Sequence, residues 1–147
     1  MNIKEIIVFA IQKEQEAIDF YEDIVKKVKS KAIASEILKI RNMEEQHKEQ
    51  LKKLDINNAL KSSKKTVSDL KIADYTVETE PSNNMSWQDL LNIAMHRELA
   101  AAELYQRLSE QMEDDSMIKI FNYLAKEESA HKLFFEKMWD EDIMKEN

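Results

Sequence analysis

No position in the 147-residue chain is glycine, and this limits what the backbone can do more than any other feature of the sequence. Glycine alone enters the left-handed region of backbone space at no steric cost, so tight glycine hairpins are disfavoured. Phosphate-cradling loops, the dinucleotide fingerprint and the Gly-x-Ser-x-Gly nucleophile elbow all need it. Nucleotide-loop enzymes and serine hydrolases of that type are therefore excluded. One proline, Pro81, and an excess of Glu, Lys, Ala, Ile and Leu favour long helices. The expected fold class is all-α, and the length suits a single domain spanning 1–147.

Four stretches place apolar residues at alternating three- and four-residue steps, the pattern of an inward-facing helical seam. The first runs Ile7, Ala10, Glu14, Ala17, Tyr21, Ile24, Val28, and the second Ile33, Ile37, Ile40, Glu44, His47, Leu51, Leu54. The third runs Leu91, Ala94, Glu98, Ala101, Tyr105, Leu108, Met112, and the fourth Met117, Phe121, Leu124, Glu128, His131, Phe135, Met138. Start signals sit just ahead of each. Asn2 with Glu5 and Ser86 with Asp89 have capping-box spacing, while Ser30 and the Asp114-Asp115-Ser116 cluster suit the other two starts. Helices are expected over about 2–29, 31–54, 86–113 and 116–139. Short links make each pair an antiparallel hairpin. The crossover, about 55–85, is polar apart from Val67, Leu70, Ile72 and Tyr75. A helix of roughly 25 residues is about 38 Å long, so some thirty extended residues can return along the bundle or let hairpins exchange between subunits.

The two halves repeat. A shift of 84 positions carries Ala10 onto Ala94, Glu14 onto Glu98, Tyr21 onto Tyr105, Glu44 onto Glu128 and His47 onto His131. One offset thus relates every polar interruption of the seams. Glu44-x-x-His47 and Glu128-x-x-His131 each put a carboxylate and an imidazole one turn apart on one helix face, and Glu14 and Glu98 come from the other two helices. Burying an unpaired charge costs several kcal/mol, so four carboxylates without compensation would overwhelm a stability of about 5–15 kcal/mol. Two divalent cations neutralise four carboxylates, and two neutral imidazoles complete the donor set. The expectation is a dinuclear centre held by Glu14, Glu44, His47, Glu98, Glu128 and His131. Carboxylate and imidazole without sulfur suit Fe, Mn or Zn; the expected ion is Fe.

Cysteine is absent, which removes disulfides, thiol nucleophiles and cysteine-held iron. A net charge of −7 with interspersed signs makes nucleic acid an unsuitable partner. The apolar run Ile6 to Ile11 is too short and too soon charged for a signal peptide or membrane span, so a soluble, cytoplasmic protein is expected. Tyr21 and Tyr105, two turns from their glutamates, are candidates to support the ligands or simply to pack the core. His96, off the seam, is read as surface or interface packing; Met112, Met117 and Met138 as core filler; and Trp87 and Trp139 as hydrophobic plugs near helix ends.

The segments Glu14 to Tyr21, Glu44-Glu-Gln-His47 and their counterparts at Glu98 to Tyr105 and Glu128 to His131 resemble the ferritin-like diiron carboxylate proteins, most of all the rubrerythrin branch. The resemblance implies a ferritin-like antiparallel four-helix bundle of two helical hairpins, the same six ligands, bridging roles for Glu44 and Glu128, and a homodimer. It also implies an oxidoreductase that reduces hydrogen peroxide or dioxygen. Rubrerythrins proper add a cysteine-ligated iron domain that this chain lacks, so electrons are expected from a separate, rubredoxin-like donor protein. The family usually has a second Glu three residues after the helix-three ligand, where this sequence has Ala101. Two alternatives are a ferroxidase or iron-handling protein, and a non-catalytic metal-binding bundle. A storage cage is disfavoured, because no fifth helix is expected after Met138.

Overall fold

The computed structural model describes residues 2–64, 70–77, 79–82 and 84–146. The chain divides into two compact units, Met1–Leu70 and Lys71–Asn147. The first contains α1 (Ile3–Val25), α2 (Lys31–Lys52) and a short α3 (Ile56–Ser62); the second contains a 3₁₀ turn (Ile72–Tyr75), α4 (Trp87–Glu110) and α5 (Asp115–Glu146). No strand occurs among the described residues.

Each start is fixed by a side chain that satisfies an orphan backbone donor of the first turn. Asn2 accepts from the Glu5 N–H at 2.9 Å and Ser30 from the Ile33 N–H at 3.3 Å. Ser86 and Asp89 form a reciprocal capping box, both bonds 3.1 Å. Asp114 accepts from the Met117 N–H at 3.1 Å and also from the Ser116 hydroxyl. The ends manage without glycine: Lys26, Lys53 and Gln111 close their helices in the right-handed region, and no described residue has a positive φ.

In the first unit α1 and α2 form a hairpin. Partners on α1 fall in number as those on α2 rise, so the helices are antiparallel. Arg41 bonds Glu22 at 2.8 Å, and Lys48 Nζ donates to Gln15 at 2.8 Å. The seam between them buries Ile7, Ala10, Tyr21, Ile24, Ile37, Ile40 and Leu51. In the second unit α4 and α5 bury Leu91, Ala94, Tyr105, Leu108, Phe121, Leu124 and Phe135, with Tyr105 stacked on Phe121 at 6.5 Å. Fully burying each Leu, Ile or Phe contributes about 1.5–3 kcal/mol.

Three boundaries differ from the periodicity. α1 stops at Val25 rather than near 29, because Lys27 N–H and Val28 N–H bond back three residues to Ile24 and Val25, tightening the end before the Ser30 cap. The crossover is not wholly irregular: Asp55 caps α3, which packs on α1 through the fully buried Ala59. Seven residues give too little periodicity to register as a helix. Tyr75, in the 3₁₀ turn, is buried where that turn packs on α4, while Val67 lies outside the described residues. Finally α5 continues past 139 to Glu146: its apolar seam ends at Met138, but nothing in Asp140–Glu146 breaks a helix. No helix among the described residues is long and apolar enough to cross a membrane.

Candidate metal centre

The hairpin register of the first unit sets His47 of α2 beside Glu14 of α1. Its Nδ1 lies 3.7 Å from Glu14 Oε1 and 3.5 Å from Glu44 Oε1. In the second unit His131 Nδ1 lies 3.5 Å from Glu98 Oε2 and 3.5 Å from Glu128 Oε1. The sequence repeat is thus a repeat of geometry: two triads, each of one imidazole and two carboxylates from the two helices of a hairpin. All six residues are at most 4 % exposed. In each triad one ligand atom from every residue lies within 4.8 Å of the others.

These spacings can be tested against an ion. They exceed an N–H···O hydrogen bond, which is about 2.7–3.2 Å. Two donors about 2.1 Å from one metal, separated by roughly 110–125°, sit about 3.4–3.7 Å apart. The triads fit. Their chemistry fits too, since two buried carboxylates beside one imidazole are a donor set that attracts a cation. Burial and the neighbouring charge of Glu44 push the Glu14 carboxyl up to about 8, a rise that His47 moderates. A group held in that state exchanges its proton for a metal near neutral pH.

The other candidates fall around this frame. Tyr21 and Tyr105 are buried on the same seams. Met112 and Met117 are buried core, and Met138 is half-buried. Ala101, at the position of the family's extra Glu, is half-buried on α4. His96 is exposed, and Trp87 and Trp139 are half-buried. Sequence spacing did not reveal that Nδ1, rather than Nε2, faces both carboxylates in each triad.

The sequence model of the rubrerythrin family matches residues 5–139. The chain belongs to the rubrerythrin family. This is a ferritin-like diiron family, and the match runs from the first turn of α1 to the seam end of α5. Among solved structures, a hypothetical protein from Pyrococcus furiosus is similar to this rubrerythrin-family chain with a TM-score of 0.72 and 21 % identity. The alignment covers 95 % of this chain and 89 % of that one, a likeness of fold. No curated protein matches the sequence significantly. The fold is therefore all-α and ferritin-like, and the buried Glu/His groups fit a metal site of the family's kind.

Proposed function

We propose that this rubrerythrin-family chain is a diiron oxidoreductase that reduces hydrogen peroxide, or dioxygen, with electrons from a separate donor protein. The observation that carries the reading is the repeated buried triad, Glu14/Glu44/His47 and Glu98/Glu128/His131, whose donor spacings fit metal ions. The two triads offer donors for two ions per chain, the number that diiron chemistry requires. Bound iron supplies the redox chemistry, one electron from each of two ions.

The chain's own residues do the rest. Each imidazole presents Nδ1 to its carboxylate pair, so in this reading His47 and His131 are neutral donors, while the carboxylates balance the ionic charge and favour the oxidised pair. Glu44 and Glu128, one turn from their histidines, would hold iron together with Glu14 and Glu98. Burial of all six donors in the apolar seams excludes bulk water from them, which strengthens every charge interaction there.

Rapid mixing of the diferrous protein with hydrogen peroxide tests this. Oxidation is expected to be much faster than in the Glu44→Ala/Glu128→Ala double variant, which should also bind less iron by elemental analysis. Equal oxidation rates in the two proteins sink the proposal, as does zinc alone in protein that forms no oxidisable centre after iron reconstitution.

A further inference from the structure

The outward side of α5 carries a stripe that the reaction above does not use. Between Ser116 and Asp140 the exposed residues of this helix are Lys119, Tyr123, Lys126, Ala130, Leu133 and Lys137, with Ser129 beside them. Their steps alternate between four and three residues, so they share one face. None is acidic. The partly buried glutamates that flank the face are already engaged: Glu127 accepts from the Tyr123 hydroxyl at 2.6 Å, and Glu136 pairs with Lys132 at 3.0 Å. Lys119, Lys126 and Lys137 have no ion-pair partner among the described residues, whereas Lys13, Lys39 and Lys48 each hold a glutamate within 3.0 Å. Tyr123 is 48 % and Leu133 60 % exposed.

The internal repeat supplies a built-in control. At the equivalent positions α2 has Lys39 for Tyr123, Asn42 for Lys126 and Glu49 for Leu133. Lys53 matches Lys137, but Ser35 stands for Lys119, so the repeat preserves the inward triad and only one of the three outward lysines. On a chain of net charge −7, the face is a local basic strip with an aromatic and an aliphatic side chain at its centre.

We propose that this stripe docks an acidic one-electron carrier protein, an inference that rests on the oxidoreductase reading. An acidic carrier is repelled by the chain as a whole and attracted by Lys119, Lys126 and Lys137, so its encounters are steered to one face. A small apolar centre with a charged rim suits a brief encounter rather than a permanent complex. The position also suits electron entry. Glu128 and His131 project inward from the same helix, so one helix diameter, about 10–12 Å, separates the docked carrier from them. Two encounters oxidise the carrier by one electron each, and those two electrons with two protons convert one hydrogen peroxide into two waters. A second copy of the chain is a poorer occupant, because a two-fold contact would bring six lysines into one interface.

The test is titration of the full-length protein, with and without iron, with a rubredoxin of net negative charge, followed by NMR line broadening and calorimetry at low ionic strength. Saturable binding is expected. It should weaken roughly tenfold or more in Lys119→Glu/Lys126→Glu/Lys137→Glu and fall with added salt. Lys27→Glu/Lys29→Glu/Lys31→Glu, at the α1–α2 turn, changes the net charge equally and is expected to leave binding nearly intact. Tyr123→Ala/Leu133→Ala should weaken binding without altering its salt dependence. Equal losses in the two lysine triples, no binding at all, or a stripe variant that changes only the oligomeric state overturns the docking face. Peroxide reduction driven by dithionite, which needs no docking, should be unchanged in the stripe variant. Its failure in every iron-loaded form overturns the oxidoreductase reading instead.

Discussion

Glu14 holds its proton up to about pH 8 because burial strips water from the carboxylate and Glu44 adds a second negative charge, with His47 offsetting part of the rise. In the unfolded chain the same carboxyl releases its proton near 4.5. Between these values the folded state binds the extra proton, so this group's contribution is fully present below about pH 4.5 and is lost as pH rises through about 8. The metal-free protein is therefore expected to melt at a lower temperature at pH 8 than at pH 6, and Glu14→Gln should reduce that difference. Metal binding runs the other way, since an ion competes with the proton, so affinity should climb over the same range. Calorimetric melting of chelated protein across pH, paired with metal titration, reads both slopes; a metal-free melting temperature that rises from pH 6 to 8 contradicts the assignment. At this scale the sequence shows which side chains share a seam, because helical periodicity is local. It does not show a carboxyl's proton affinity, which depends on how completely distant segments exclude water.

Each long helix starts where a short polar side chain can accept from the backbone three residues on, and those starts are legible in the sequence because capping involves only neighbours. The Ser86/Asp89 box at α4 is the fullest of them. Ser86→Ala is expected to cost about 1 kcal/mol in chemical denaturation, while leaving the iron content unchanged. An unchanged midpoint would mean that packing alone sets the start of α4. Ends are less legible. In a chain without glycine there is no left-handed stop, so α1 closes by three-residue bonds before the Ser30 cap and α5 continues beyond its last seam residue. α3 is not legible in the sequence because Ala59 and Ser62, its buried residues, carry almost no period over seven positions, and its place is set by packing against α1.

Across the whole molecule, the two units repeat the same triad with donor spacings of 3.5–3.7 Å. If these six residues hold metal, loading should stabilise the chain by about 4 kcal/mol at a ligand concentration a thousandfold above Kd. For a chain this long, that is on the order of a 10 °C rise in Tm. Chelation should reverse the gain and retain most of the helical circular dichroism, because the apolar seams of both hairpins remain. Equal melting curves with and without chelator count against a buried centre. The sequence by itself determined the helical class, the antiparallel hairpins and which six polar side chains interrupt the buried seams, since periodicity, capping and short links act between near neighbours in the chain. Only the tertiary structure decided which imidazole nitrogen faces the carboxylates, how far Glu14 departs from an ordinary carboxyl, and that α5 leaves a lysine-edged face in water. Those properties are set by which remote segments pack against a side chain, and no local pattern encodes them.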